Sequence, residues 1–399
     1  MKIAGIIAEY NPFHSGHAYQ IAQTREAGAT HIAAVMSGNF VQRGETALLE
    51  KHARAEMALR GGVDLVLELP APWCCARAQD FARAGVSLLH AMGCVELLSF
   101  GSECGESARL RDMAQALESP ELHMCLSSLL AKGMSLPAAR EKAAAQCLGE
   151  EAAALLQGAN DALALEYLRA LTALHAPILP LAVKRRGARH DETSCTEGFS
   201  SASRIRSLLL EADPEWSSAL PASSVEILRR ETGEGRAPVR FDALETAILA
   251  HLRRLSPSEL ALLPDISEGL EYRLYHAVRR ANSLEGLYAA VKTKRYTHAR
   301  IRRLTLHAFL GITQEAMALS PPYLHVLGFN DKGQEILRRM RDMAKLPVLM
   351  RFSELRGLFP SAQYIYQLNA GATDLFALAM PQKQPCGMEQ TENVVCLSQ

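Results

Sequence analysis

Short apolar runs alternate with helical patterns along the first hundred residues, and this alternation constrains the fold most. Apolar runs at 2–7, 30–36, 62–70 and 93–101 end at turn-forming residues, and another follows at 177–186. Stretches of helical character lie between them. Strand–helix–strand units of this length form parallel sheets covered by helices. The pattern therefore predicts an α/β fold whose N-terminal part is a doubly wound, Rossmann-like parallel sheet.

Polar and small residues follow the predicted strands at 11–16, 37–44, 70–75 and 101–103. The carboxyl ends of parallel strands share one edge of the sheet, and ligands of such sheets bind there. We therefore expect these four segments to converge on one site.

The first of these segments places His14 and His17 where a strand meets a helix. Gly16 lets a ligand approach the backbone closely, and a helix N-terminus offers unpaired N–H groups that favour phosphate. Imidazole donors aimed at phosphoryl oxygens suit attack on the α-phosphate of a nucleotide. We predict that His14 and His17 are catalytic residues of nucleotidyl transfer.

Two other interpretations of these histidines stay open. They could be a structural pair, or part of a zinc site. Zinc needs at least a third protein ligand, and no Cys or His lies nearby in sequence to supply one. No metal site is predicted.

A second helix start contains Ser201 and Ser203, with Arg206 one turn further on. Hydroxyl groups at such a position can donate to phosphate or cap the helix. The arginine can clamp an anion. An ordinary N-cap followed by a surface arginine explains the same residues, so both interpretations are kept.

Basic residues are concentrated between 273 and 303, although the net charge of the chain is zero. Nine Lys and Arg residues stand there against one acid, Glu285, and tyrosines lie between them. Such a stretch suits a phosphate backbone with stacking surfaces, while a solvated helix face is the alternative. The predicted RNA-binding residues are Lys292, Lys294, Arg295, Arg300, Arg302 and Arg303.

The order of these features predicts the domain organisation of the 399 residues. From about Asp213 onward the pattern is mainly helical, with no further strand–helix–strand unit. We expect a nucleotide-binding catalytic domain at 1–212, a mainly helical domain at 213–380 and a polar, loosely ordered tail at 381–399.

Cysteine usage and hydropathy predict the compartment. The nine cysteines are an odd number at irregular spacing, which favours a reducing environment. No apolar run reaches the ~18 residues that span a membrane, and the N-terminus has no signal-peptide pattern. We expect a cytoplasmic protein without membrane association.

The two phosphate-binding segments resemble motifs of the nucleotidyltransferase superfamily. His14–His17 matches H-x-G-H, and Ser201–Arg206 resembles I-S-S-T-x-I-R, with Ser200 and Ala202 standing where Ile and Ser are usual. Longer strings resemble the bacterial tRNA(Met) cytidine acetate ligase family over nearly the whole chain. These strings are 8–17, 36–45, 100–103, 160–167 and 294–304.

The resemblance implies a two-step reaction. Acetate attacks the α-phosphate of ATP, releases pyrophosphate and forms acetyl-adenylate. The exocyclic amine of the wobble cytidine of elongator tRNA(Met) then takes the acetyl group, giving N4-acetylcytidine. Mg²⁺ is expected with ATP, bound mostly by phosphates and water. No obligate protein partner is expected, and the helical half would be the tRNA-binding domain.

The resemblance also implies which residues bind ATP, namely one continuous segment and three residues further along the chain. They are Ile7, Ala8, Glu9, Tyr10, Asn11, Pro12, Phe13, His14, Ser15, Gly16, His17, Ala18, Tyr19, Gln20, Gly101, Asn160 and Arg185. We further expect Gln42 and Arg43 to close as a lid over the nucleotide or acetate, because their polar loop lies at a strand end.

Two other functions stay open. A small-molecule adenylyltransferase, acting on a nucleotide or a phosphopantetheine precursor, would not need the basic stretch at 273–303. A non-catalytic tRNA-binding scaffold would not need His14, Gly16 and His17 intact. Acetate-dependent ATP–pyrophosphate exchange distinguishes the three.

Overall fold

One mainly parallel sheet organises the computed structural model, which describes residues 1–186 and 200–398. The strands are β1 (Ile3–Ala8), β2 (His31–Ser37), β3 (Phe40–Val41), β4 (Glu45–Thr46), β5 (Leu65–Leu69), β6 (Leu97–Ser102), β7 (Leu179–Lys184), β8 (Leu324–Asn330), β9 (Val348–Leu349) and β10 (Val395–Leu397). The order across the sheet is β10-β8-β5-β2-β1-β6-β7, with β9 beside β8. β3 and β4 form a separate antiparallel hairpin.

Helices cover the sheet and fill the second half of the described chain. The α-helices are α1 (Ser15–Glu26), α2 (Lys51–Arg60), α3 (Ala78–Ala91), α4 (Ser107–Ala116), α5 (Pro120–Ala131), α6 (Leu136–Leu148), α7 (Glu150–Ala154), α8 (Ala159–Ala173), α9 (Ala202–Leu210), α10 (Ala222–Gly233), α11 (Glu245–Arg254), α12 (Pro257–Leu260), α13 (Leu270–Arg280), α14 (Leu284–Val291), α15 (His298–Leu310), α16 (Gln314–Ala318), α17 (Asp331–Met343), α18 (Pro360–Ala377) and α19 (Met388–Thr391). Short 3-10 helices span Trp73–Cys75, Pro214–Ala219, Phe241–Leu244 and Phe352–Leu355.

The five predicted strands are confirmed as the parallel centre of the sheet, in the order β5-β2-β1-β6-β7. All residues of β2 and β5 are buried, as expected for strands covered on both faces. A Cβ added to Gly5 of β1 would lie 2.7 Å from the Leu89 side chain. The glycine therefore lets α3 pack directly against the central strand.

The mainly helical pattern predicted after Asp213 is confirmed, and three strands, β8, β9 and β10, lie among these helices. β8 runs antiparallel to β5, and β10 pairs in parallel with β8. Because β8 enters the sheet as a single antiparallel strand, it lacks the strand–helix–strand pattern from which the other strands were predicted. The helical half therefore also extends the sheet, and the boundary near residue 212 stays a prediction.

The predicted loose order of the tail at 381–399 is wrong for its described residues. This segment contains α19 and β10, and Glu389 is buried. The Lys51 ammonium lies 2.9 Å from Glu68 Oε1 and 2.6 Å from Glu389 Oε1, and all three side chains are only 1% exposed. Asn369 and Thr373 of α18 complete this network with hydrogen bonds to Glu68 and Glu389. A buried ion pair thus joins the tail to β5.

The same network contains the only group of metal-ligand type in the described ranges. Donor atoms of Glu68, His325 and Glu389 lie within 4.8 Å of one another. The Lys51 ammonium already contacts both carboxylates. Although burial lowers the pKa of Lys51, Glu389 and Glu68 raise it above its ordinary value, so the amine stays charged. The cation of this cluster is therefore a lysine.

None of the helices in residues 1–186 and 200–398 combines the length and apolarity that crossing a bilayer requires.

The buried network predicts a large loss of stability when its cation is removed. Lys51→Met removes the ammonium that both buried carboxylates contact and leaves only His325 beside them, which costs about 3–5 kcal/mol of unfolding free energy. Urea denaturation measures this loss. Lys132→Met, at an exposed lysine, is the control and changes the free energy by less than about 0.5 kcal/mol. Equal stability of the two variants would contradict the structural role of Lys51.

Candidate functional site

Arg54 fixes the loops that leave β1 and β2. This fully buried side chain donates from Nη1 to the Glu9 carbonyl at 2.7 Å, from Nε to the Leu49 carbonyl at 3.0 Å, and from Nη2 to the Gly38 carbonyl. Asn11 adds a cross-link, because its Oδ1 accepts from the Leu48 N–H at 2.7 Å. These hydrogen bonds connect the loops that follow β1 and β2 to the start of α2, and they stabilise the carboxyl edge of the sheet.

His14 and His17 cap α1 reciprocally. His14 is the N-cap, and its Nδ1 accepts from the Gly16 N–H at 3.0 Å, while His17 Nδ1 accepts from the His14 N–H at 3.2 Å. The two rings stack with centroids 3.8 Å apart. In most capping boxes Ser or Thr and Glu or Gln play these parts. Here His14 and His17 provide the cap.

This capping determines the protonation of both rings. A neutral imidazole whose Nδ1 accepts a hydrogen bond carries its proton on Nε2. Burial, with Arg185 and Arg206 nearby, lowers the pKa of His14 to about 3. Burial, with His14 and Arg185 nearby, also lowers the pKa of His17 well below its ordinary value. Each ring is therefore a neutral Nε2–H donor.

Aromatic side chains hold the His17 ring in place. The Tyr10 ring meets it edge-on at a centroid distance of 4.8 Å, and the Phe13 ring lies 5.5 Å away. Both aromatic residues are buried. Tyr10 and Phe13, both predicted to bind ATP, therefore pack against the His17 ring and are not part of the cavity lining described below.

A cavity opens beside the two histidines, on the side of β6 and β7. Its lining includes seven of the predicted ATP-binding residues, which the fold brings together from three segments. The lining residues are His14, Gly16, His17, Tyr19, Gln20, Gly101, Val183, Lys184, Arg185, Arg186 and Ser200. The predicted residues Ile7, Ala8, Glu9, Tyr10, Asn11, Pro12, Phe13, Ser15, Ala18 and Asn160 are outside this lining.

Asn160 nevertheless reaches the cavity through Arg185. Its Oδ1 accepts from Arg185 Nη1 at 3.2 Å, and its Nδ2 donates to Glu103 Oε1 at 2.6 Å. Glu103 also accepts from the Asp161 N–H at 2.7 Å, while the Asp161 carboxylate accepts from the N–H groups of Glu103 and Cys104. This reciprocal clasp between β6 and α8 positions the arginine.

The hairpin of β3 and β4 lies on the other side of β1. The Gln42 N–H donates to Glu9 Oε1 at 2.9 Å, and Glu45 forms an ion pair with Arg302 of α15. Gly44 has φ 75°, and a Cβ there would lie 2.8 Å from the Arg303 nitrogen. The predicted lid residues Gln42 and Arg43 therefore belong to a hairpin packed between Glu9 and the basic helix.

In the second predicted phosphate-binding segment, residues 201–206, Ser201 caps a helix while Arg206 contacts the loop before α1. Ser201 Oγ caps α9 by accepting from the Arg204 N–H at 3.2 Å. Arg206 Nη1 donates to the Asn11 carbonyl at 3.0 Å, and burial lowers its pKa. Ser203 is half-buried on α9. Arg206 thus lies at the loop between β1 and α1, and its role in phosphate binding stays a prediction.

The structure separates the predicted RNA-binding residues into two groups. Lys292 and Lys294 are exposed. The four arginines have partners or are partly covered. Arg295 pairs with Glu268, Arg300 donates to the Asp265 carbonyl, Arg302 pairs with Glu45, and Arg303 is half-buried.

Sequence reasoning missed Arg54, Glu103 and Asp161. Arg54 makes its three bonds to backbone carbonyls, and the two acids bond backbone N–H groups far along the chain. Glu103 stood in a matched string, and Asp161 follows Asn160, so the resemblance was the available signal.

The sequence is similar to known proteins over most of its length. The model of the HIGH Nucleotidyl Transferase family matches residues 1–391. A tRNA(Met) cytidine acetate ligase from Syntrophomonas wolfei is 40% identical over 401 residues, covering 96% of this chain and 95% of the relative. One from Acetivibrio thermocellus is 34% identical and covers both chains completely.

The structure is also similar to solved structures over its whole length. The chain is similar to Thermotoga maritima TmcAL bound with alpha-thio ATP, with a TM-score of 0.94 and 35% identity over 100% of both chains. The apo form of that protein gives a TM-score of 0.95 and 36% identity over the same coverage.

The low pKa of His14 predicts how stability depends on pH. Below about pH 6.5 the unfolded chain protonates this histidine while the folded protein does not, until pH approaches about 3. Acid therefore destabilises the fold across this window. His14→Asn retains a capping oxygen without the titrating ring, so unfolding free energy should fall less steeply with decreasing pH. Thermal unfolding at a series of pH values measures the slope.

His123→Asn is the matched control, because His123 is exposed. It should keep the wild-type slope. A His14→Asn protein with the same slope as His123→Asn would show that His14 titrates normally in the folded state.

Proposed function

The chain belongs to the HIGH nucleotidyl transferase family and to its tRNA(Met) cytidine acetate ligases, and we propose that it acetylates a cytidine of tRNA(Met) with ATP. One observation carries the chemistry. The capping of α1 leaves both histidines as neutral Nε2–H donors beside a cavity that also contains Arg185. Donors fixed before the ligand arrives stabilise charge that develops on a phosphoryl group.

The first step of the proposal is activation of acetate. An acetate oxygen attacks the α-phosphate of ATP, the bond to pyrophosphate breaks, and acetyl-adenylate forms. Negative charge grows on the phosphoryl oxygens, where His14, His17 and Arg185 can donate. Acetate is already anionic, so positioning and charge neutralisation supply most of the rate.

Mg²⁺ fits this site as a companion of ATP. The described lining of the cavity contains no carboxylate, and Mg²⁺ is commonly bound through phosphates and water. The ion would neutralise phosphate charge. Lys184, Arg185 and Arg186 add positive charge along the same wall.

The second step transfers the acetyl group to tRNA. Lys292 and Lys294 are exposed just before α15 and are suited to phosphate contact. The arginines of α15 hold their helix and the hairpin of β3 and β4 in place. We infer that the wobble cytidine of elongator tRNA(Met) is the acceptor and that the reaction occurs in the cytoplasm. Gln42 and Arg43 would close over the reacting groups.

The two other functions lack comparable support. The relatives align along the whole chain, including the helical half that a small-molecule adenylyltransferase does not need. The histidines of the motif are intact and preorganised, which a scaffold does not need.

The proposed chemistry predicts the effect of His17→Asn. The Asn carbonyl can still accept from the His14 N–H and keep the cap, but the Nε2–H donor is lost. Loss of one such donor lowers the rate by about 10²–10³-fold. Acetate-dependent ATP–pyrophosphate exchange measures the first step, and mass spectrometry of tRNA nucleosides measures N4-acetylcytidine. Exchange within about threefold of wild type would exclude a role for this donor. Absence of acetylcytidine with the wild-type protein would exclude the proposed function.

The exposed lysines predict a separate effect on tRNA. The double variant Lys292→Ala, Lys294→Ala should weaken tRNA binding and reduce the slope of log K against log salt by about 0.7–0.9 for each lost phosphate contact. Binding titrations at several salt concentrations measure the slope. Lys132→Ala, an exposed lysine on another part of the surface, should keep it. Equal losses in tRNA binding and ATP–pyrophosphate exchange would contradict this assignment.

A further inference from the structure

We propose that Glu9 and Gln42 form the seat of the acceptor cytosine. The Glu9 carboxylate would accept a hydrogen bond, and then a proton, from the exocyclic amine. The Gln42 side-chain amide would donate to N3 or O2 of the same base. This inference rests on the proposed function and assigns the residues that recognise and activate its acceptor.

Glu9 directly follows β1, and its carboxylate contacts the hairpin that follows β2 and lies outside the lining of the nucleotide cavity. β1 pairs with β6 on one side and with β2 on the other. The cavity is lined by His14 and residues of α1, by Gly101 of β6, and by the end of β7 with the residues that follow it, and Glu9 is absent from that lining. The hairpin that contacts Glu9 follows β2. A nucleotide on the first side leaves the second side for the acceptor.

Unused polar atoms mark this second side. Gln42 Nε2 of the hairpin and Arg302 Nε, whose side chain pairs with Glu45 of the hairpin, are buried without a hydrogen-bond partner among the described residues. Leaving a buried donor unpaired costs free energy, so native proteins rarely retain one without a reason. The Glu9 carboxylate already uses Oε1 to accept from the Gln42 N–H. That bond orients the carboxylate and leaves Oε2 for a ligand.

The donors and acceptors of this seat match cytosine. The Watson–Crick edge of cytosine presents an amine donor at N4 and acceptors at N3 and O2. A carboxylate is the natural acceptor for N4, and an amide N–H is a donor for N3 or O2. Uracil presents an acceptor at O4 and a donor at N3. Its O4 would face the Glu9 carboxylate, another acceptor, and its N3–H would face the Gln42 amide, another donor. The seat therefore favours cytosine over uracil.

The carboxylate also completes the transfer step. The N4 nitrogen forms a bond with the acetyl carbonyl carbon, and the bond from that carbon to the AMP oxygen breaks. The electron pair leaves with AMP, and one N4 proton passes to Glu9. An exocyclic cytosine amine is a weak nucleophile, so a base that removes this proton during attack accelerates the step.

Helix α15, which carries Arg300, Arg302 and Arg303, packs directly against the hairpin that provides Gln42. The ion pair of Glu45 with Arg302 and the close packing of Gly44 on the α15 backbone hold the hairpin that carries Gln42. The exposed Lys292 and Lys294 precede the same helix. A tRNA bound to these lysines would therefore have a fixed position relative to Glu9.

The test measures the two reaction steps separately in Glu9→Gln. The amide keeps an oxygen for the Gln42 N–H but cannot take up the proton, and a general base contributes about 10²–10⁴-fold. The ratio of acetyl transfer to acetate-dependent ATP–pyrophosphate exchange should fall at least about 30-fold. Glu26→Gln, at an exposed acid, should keep the wild-type ratio.

Gln42→Ala tests recognition. Two tRNA(Met) transcripts that differ only in cytidine or uridine at the acceptor position compete for the protein. The wild type should prefer the cytidine form by about tenfold, and Gln42→Ala should bring the preference close to one. Gln115→Ala, at an exposed glutamine, should retain it.

Equal loss of both steps in Glu9→Gln, or an unchanged ratio, would overturn the assignment of the base. An unchanged preference in Gln42→Ala would overturn the assignment of the seat. These outcomes differ from failure of the proposed function, in which the wild-type protein itself would produce no acetylcytidine.

Discussion

The reciprocal capping of α1 by His14 and His17 is the interaction on which the site depends. A helix start must satisfy its first N–H groups, and here the acceptors are the Nδ1 atoms of His14 and His17. The requirement of the backbone thereby selects one tautomer for each ring. Burial keeps both rings neutral, and neighbouring arginines act in the same direction. A structural need of the helix thus determines the chemistry available to a phosphoryl group.

The buried Lys51 network explains why the second half of the chain is not an independent appendage. Glu389 lies 338 residues from Lys51 in sequence, yet the two meet in a site closed to solvent. Glu68 of β5 shares the ammonium, and Asn369 of α18 bonds both carboxylates. Isolated charges are too costly to bury, so the tail and the sheet have to form together. The carboxyl edge near Gly38 is thereby supported from the C-terminal side.

The sequence predicted the parts of the fold that depend on local pattern. β1, β2, β5, β6 and β7 were identified because parallel strands covered on both faces are continuous apolar runs. β8 was missed because it joins the sheet antiparallel and singly, and the order of the tail was missed because the burial of Glu389 depends on a distant lysine. The motif located the histidines. The sequence could not reveal that they cap their own helix, or that Arg302 pairs with Glu45 while Lys294 is exposed.

The position of β1 separates the nucleotide cavity from the proposed seat of the acceptor cytosine. Strand order reverses at the boundary of β1 and β6, where a crevice opens in sheets of this kind, and the nucleotide cavity lies on that side. The hairpin after β2 closes the other side against Glu9 and contacts the basic helix. The loop that carries His14 and His17 stands between them. Acetyl-adenylate formed on one side would therefore present its carbonyl carbon toward an acceptor held on the other, without release of a reactive intermediate to water.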